Sequence, residues 1–441
     1  MHLRRLFVLV AVVLAACTPT TTPPSTFTDP TAVSTTVAPA TSAPPATTST
    51  QVEADPELLA DLEGLQNIAE EVRGLEFLRP PSVAVVTQAE LADRVRGLID
   101  EDLPFDEVVV DEALLKLLGL LDPDTDLRGL YLDLYSEQVT GFYDGDTEEL
   151  VVSAPEGRLS ELTKVTLVHE LVHALTDQHF DFHDLFVRLD EEERFDEASA
   201  FQGLIEGDAT FFQFVYVQEQ LDRSEQLEVA LEALQQNTQV FNEAPPFLRD
   251  LLLYPYESGN SFVGELFQAG GAAAVDRAYQ EPPTTTEQIL HPDLYLAGEE
   301  GEVVMLPDTS LPGYQVNEES VWGELGFRVM LADAVGIGEA LPASTGWGGD
   351  RYRLLWDGQE VAWALRFVGD TERDARELHD ALAAYVEEAM DAGPGAQDGG
   401  GLAFSGEDYA FLQRSGDEVV FIAGSDPGAG GSLRESFQGV E

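Results

Sequence analysis

Two imidazoles and a carboxylate stand at a spacing suited to metal-assisted chemistry in His169-Glu170-Leu171-Val172-His173. Residues four apart lie one turn apart on the same face of a helix, so His169 and His173 can reach one ion. Glu170 then projects beside that ion, placed to take a proton from an activated water and pass it to a leaving amine. The chemistry this spacing points to is zinc-dependent hydrolysis of a peptide bond. A catalytic zinc site usually has three protein ligands and one open position, so a further His, Asp or Glu is needed. Two residues are candidates: Glu206, within the largely apolar stretch Ala198–Ala209, and His179, ten residues beyond His169.

The elements that must position these groups are legible as periodicities. Leu162, Val165, Leu167, Val168, Leu171, Val172 and Leu175 give the motif the character of a core helix, and Ser160 with Thr163 offers helix-start chemistry. Upstream, the pattern predicts a helix over Pro56–Glu71, a strand over Ser82–Thr87, and helices over Gln88–Ile99 and Glu107–Leu121. Gly141-Phe142-Tyr143 and Leu150-Val151-Val152 flank the turn-forming Asp144-Gly145-Asp146, which predicts a hairpin just ahead of the motif. Downstream, helices are expected over 193–220 and 226–239, then a break at Pro245-Pro246 and a helix over Tyr256–Leu266. Beyond Pro307 the pattern gives a helix over Glu319–Ala334, strands at Tyr352–Trp356 and Val361–Val368, a helix over Thr371–Met390, and strands at Tyr409–Arg414 and Glu418–Ala423. The fold class expected is α+β.

At 441 residues with 44% hydrophobic content, the chain is long enough for two or three domains. Residues 1–16 carry Arg4 and Arg5 ahead of an apolar run, Leu6 to Leu14, that is too short to span a bilayer comfortably, as in a signal peptide. Residues 17–52 are dominated by Thr, Pro, Ser and Ala, which bury little apolar surface, and form a tether. A catalytic domain is expected over 53–306, and a C-terminal α+β module with a flexible tail over 307–441, without obvious catalytic residues. Cys17 is the sole cysteine, so no internal disulfide can form. The net charge of −59 and a pI near 4.1 argue against nucleic acid or an anionic membrane surface as a partner.

Three resemblances sharpen these expectations. Leu14-Ala15-Ala16-Cys17 resembles the lipobox of bacterial lipoproteins, which implies lipidation of Cys17 and a protein held at the extracytoplasmic face of the bacterial cell membrane. The His169–His173 motif followed by Glu206 resembles the gluzincins, the thermolysin-like zinc peptidases. That likeness implies a zincin-like lobe with a mainly helical C-terminal half, one catalytic zinc on His169, His173 and Glu206, Glu170 as general base, and a peptide or protein substrate. It also implies that the edge strand Gln138–Tyr143 pairs with the substrate backbone. Tyr256-Glu257-Ser258-Gly259, with Phe262, Leu266 and Gly270-Gly271, resembles the Y-x-x-G helix of zinc aminopeptidases, which implies that Tyr256 donates to the oxyanion; His291 is the alternative electrophile. The chain departs from the thermolysin pattern at Thr210, where an Asp would orient a ligand histidine, so Asp208 or Glu197 must serve. In the metzincin pattern, by contrast, His179 would be the third ligand, but Thr176 stands where those enzymes have a glycine. The competing class is a non-catalytic surface lipoprotein, a binding or chaperone module on a zincin-like scaffold. The oligomeric state is not legible.

Overall fold

A computed structural model describes residues 56–137, 139–154 and 158–437 of the chain. The signal segment, Cys17, the whole tether and Gln138 lie outside the described residues. From the N-terminal side come α1 (Pro56–Arg73), β1 (Ser82–Val86), α2 (Gln88–Asp102), α3 (Phe105–Leu117), α4 (Leu127–Glu137) and the hairpin of β2 (Gly141–Asp144) and β3 (Glu149–Ser153). A helical run follows: α5 (Glu161–Phe180), α6 (Phe182–Glu191), α7 (Phe195–Glu219), α8 (Arg223–Ala233), α9 (Gln239–Glu243), α10 (Pro246–Gly270), α11 (Ala272–Gln280), α12 (Thr286–Leu290) and α13 (Pro292–Ala297). The remainder is β4 (Gln315–Ser320), α14 (Gly323–Val335), α15 (Ile337–Ser344), β5 (Trp347–Trp356), β6 (Val361–Gly369), α16 (Glu372–Ala389), β7 (Ala396–Asp398), β8 (Gly401–Phe404), β9 (Tyr409–Ser415), β10 (Glu418–Gly424) and α17 (Pro427–Phe437). The fold is α+β.

Two sheets organise these elements. The first has the order β1-β3-β2, with β1 parallel and β2 antiparallel to β3, so β2 is an edge strand. Its core joins Phe142 and Val151 to Val165, Val168 and Leu171 of α5 and to Leu204 and Ile205 of α7. The second is a seven-stranded antiparallel sheet, β4-β5-β6-β10-β9-β8-β7. Period-two alternation along β6 sends Val361, Trp363, Leu365 and Phe367 to one face, against α14 and α16, and Ala362 and Ala364 to the other, against Leu433 of α17. Val110, Leu114 and Leu117 of α3 also enter the α14–α16 core, so an element from the front of the chain is built into the rear sheet.

Several elements differ from the sequence pattern, for physical reasons. The proline pair at 245–246 starts a helix: Pro246 occupies the first helical turn of α10, where its missing N–H is no loss. That helix continues through Pro255, so Tyr256 lies in its middle. The helix expected from Glu319 is preceded by a strand, β4, and begins only at Gly323, whose φ of 76° makes the corner. Asp350 caps it, accepting from the N–H groups of Trp322 and Gly323 at 2.8 and 2.9 Å. The tail expected to be flexible carries α17, whose start is closed by Asp426 accepting from Gly428 and Ala429. Helices α4, α6, α11, α12, α13 and α15 and the short strands β7 and β8 had no counterpart in the periodicity.

Candidate metal centre

Helix α5 begins as the sequence predicts: Ser160 is the N-cap and its hydroxyl accepts from the Thr163 N–H at 3.2 Å. Its motif faces inward, and His169, Glu170 and His173 are each no more than 1% exposed. Glu206 reaches the same point from α7. One ligand atom from each of His169, His173 and Glu206 lies within 4.8 Å of the other two. The edges of this triangle are 3.0 Å between the two Nε2 atoms, 3.2 Å from His169 Nε2 to Glu206 Oε2 and 3.5 Å from His173 Nε2 to Glu206 Oε2. Tetrahedral bonds of about 2.0–2.1 Å to one zinc place neighbouring ligand atoms about 3.3 Å apart, so the triangle has the size such an ion requires. The donor set fits as well: two nitrogens and a carboxylate oxygen, as in His2Glu sites.

The electrostatics agree with ligand protonation states. Burial pushes His173 well below its usual range, against the pull of Glu206, and leaves the imidazole neutral. Burial alone would raise the Glu206 carboxyl, but the neighbouring imidazoles of His169 and His173 outweigh it and keep the group ionised. A metal needs a neutral imidazole and a carboxylate.

Helix contact places Glu206. Gly203 and Gly207, one turn apart on α7, meet Gly259 of α10 so closely that a Cβ on Gly207 would stand 2.2 Å from the Gly259 carbonyl carbon. The same crossing brings Tyr256, one turn before Gly259, to the centre. Its ring stacks on His169 with centroids 6.2 Å apart, and its hydroxyl donates to Glu206. Burial and the charges of Glu206 and Glu170 raise the Tyr256 phenol far above its ordinary value, so it is a donor at any physiological pH. On the other side, the buried Arg73 of α1 holds Asp208 through Nε at 3.0 Å and Asp276 at 2.8 Å, fixing α7 just beyond Glu206.

Glu170 is held by the edge strand. Its Oε2 accepts from the backbone N–H of Tyr143 at 2.9 Å, while the Tyr143 hydroxyl donates to Asp177 at 2.7 Å. The hairpin is thereby fixed to α5 through both the backbone and the side chain of one residue.

The structure corrects four expectations. His179 remains on α5, which runs on past Thr176 without a turn; ten residues along a helix is about 15 Å, and its Nε2 meets the Glu76 carbonyl at 2.8 Å. Asp208 serves Arg73 and Tyr279, and Glu197 pairs with Arg194, so neither orients a histidine. His291 pairs with Glu324 of α14 at 2.9 Å. His169 Nδ1 instead meets Gln213 Oε1 at 3.2 Å.

Gln213 escaped the sequence reading, although it stands two helical turns after Glu206 and therefore on the same face of α7. Tyr135 escaped too. It lies on the unassigned helix α4, and its phenol is raised by burial and by the charge of Glu206. The repeat of Tyr131 and Tyr135 at helical spacing was the available signal.

Residues 312–434 match the model of a domain of unknown function, DUF8575. The match covers β4 to α17 and excludes the metal centre. No curated protein matches the chain. A solved Chloroflexus aurantiacus protein, described as a candidate hydrolase with a novel fold, is similar over 56% of this chain and 90% of its own, at 17% identity and a TM-score of 0.38. That likeness is too slight to bear on the chemistry of this chain. Among the described residues no helix is long and apolar enough to cross a membrane.

Proposed function

We propose that the protein is a zinc metallopeptidase of gluzincin type, on a zincin-like lobe over 53–306, tethered through Cys17 to the extracytoplasmic face of a bacterial membrane. The observation that carries this reading is the buried triangle of His169, His173 and Glu206 with Glu170 between the two histidines on α5. A purely structural zinc site would have a fourth protein ligand and no use for a base beside it. When bound, zinc would supply the Lewis acidity that makes a water nucleophilic at neutral pH and polarises the scissile carbonyl.

The chain's own residues supply the rest. His169, His173 and Glu206 hold the ion. Glu170, anchored by the Tyr143 N–H, takes the proton as the peptide carbonyl is attacked and delivers it to the departing amine nitrogen. Tyr256, kept protonated by its surroundings, donates its hydroxyl to the developing oxyanion, releasing its ground-state bond to Glu206. β2, an edge strand of its sheet beside Glu170, is the strand an extended peptide would pair with.

The test is the zinc content of tag-free protein together with hydrolysis of a mixed peptide library. About one zinc per chain and cleavage suppressed by chelation support the reading. Stoichiometric zinc without cleavage of any peptide would favour the non-catalytic lipoprotein, and absence of zinc would overturn the metal reading.

A further inference from the structure

The metal reading leaves unexplained why the group behind His169 is an amide. Gln213 Oε1 lies 3.2 Å from His169 Nδ1, and an amide oxygen can only accept, so the ring carries its proton on Nδ1. The Nε2 lone pair is then directed at the point shared with His173 and Glu206, from atoms 3.0 and 3.2 Å away. His169 thus faces two residues of α7: its Nδ1–H donates to Gln213, and its Nε2 is turned toward Glu206, 3.2 Å away. Its ring orientation is set from both ends. An anionic partner would do the same positioning and also push electron density into the ring, whereas a neutral amide positions without that push. His173 offers no compensation: its Nδ1 is buried and has no hydrogen-bond partner among the described residues.

From this geometry we infer that Gln213 is a positioning residue for the metal, which fixes the His169 tautomer while leaving the site a weaker binder than a carboxylate at the same place would make it. The inference rests on the metal reading.

Zinc affinity of the full chain, measured by competition with a chromophoric chelator, tests it with Gln213→Leu and Gln213→Glu. Loss of the acceptor in Gln213→Leu is expected to weaken binding about 10-fold or more, and the near-isosteric anion of Gln213→Glu to tighten it by a similar factor. A purely structural role would weaken both. Affinities of Gln213→Leu and the unmodified chain within about twofold of each other would overturn the inference with the metal site intact. Should Gln213→Leu fail to fold by circular dichroism, Gln213→Glu decides alone, and unchanged or weaker binding overturns the inference. If the unmodified chain binds no zinc, the metal reading falls and takes this inference with it.

Discussion

At the scale of single residues, the general base Glu170 on α5 and the ligand Glu206 on α7 should behave oppositely when replaced. Glu170 stands outside the ligand triangle, and its Oε2 accepts from the Tyr143 N–H at 2.9 Å. Glu170→Gln keeps size and polarity, so zinc should stay at one per chain while the rate of peptide cleavage falls by about 10²–10⁴-fold, the ordinary range for losing a general base. Undiminished cleavage in that variant would remove Glu170 from the mechanism. Glu206→Ala removes one corner of the triangle and should cost the zinc itself, whereas His179→Ala, about 15 Å along the helix, should leave the zinc content untouched. Loss of zinc in His179→Ala with retention in Glu206→Ala would restore the metzincin-like ligand set. Glu206 was legible as a candidate because a carboxylate among apolar residues of a helix needs a partner. The choice between it and His179 was not, because it turned on whether α5 bends after Thr176. That depends on the ladder of backbone hydrogen bonds, and the Thr176 hydroxyl joins it by donating to the Val172 carbonyl at 2.9 Å.

At the scale of elements, the crossing of α7 and α10 carries the centre. Glycines at Gly203, Gly207 and Gly259 let the two backbones touch, which is how Glu206 and Tyr256 come to share one hydrogen bond. Gly207→Val has no space to enter. It should cost about 1–3 kcal/mol by overpacking, read as a lowered midpoint of thermal unfolding, and in the surviving folded protein should weaken zinc binding by moving Glu206. An unchanged midpoint would show that the two helices are not in contact there. The legibility of elements followed their amphipathicity. Helix α16, with its Thr371 cap and one buried face, emerged from the sequence within a residue at each end. Helix α10 did not, because Pro255 and a nearby proline pair read as punctuation while packing against α7 overrides them. The hairpin was visible from Asp144-Gly145-Asp146, but that its backbone would clamp Glu170 was not, since a main-chain donor leaves no trace in residue identity.

At the scale of the whole molecule, the helical lobe and the rear sheet meet through a seam of buried acids that no motif announced. Asp196, at the start of α7, accepts from the Thr286 N–H at 3.1 Å and its hydroxyl at 2.6 Å. Glu287 follows on α12, Glu324 faces it from α14, and Asp350 lies beneath on β5; all four are at most 5% exposed. Burial, first, and then the charges of Glu324, Asp370, Glu299 and Asp196 push Glu287 up to about 9. Burial likewise carries Asp350 to about 7, despite the pull of its three N–H donors. For an acid raised on folding, the folded chain binds more protons than the unfolded one between the two pKa values. Glu287 therefore contributes its stability at acid pH and loses it as pH rises from about 4.5, its unfolded value, through about 9. The midpoint of thermal unfolding should fall steadily from pH 6 to pH 9, with the seam opening first. Glu287→Gln, which cannot ionise, should flatten a measurable part of that slope, even though the general repulsion of a chain with net charge −59 persists in both proteins. Equal slopes in the variant and the unmodified protein would place the alkaline sensitivity in the overall charge and not in Glu287.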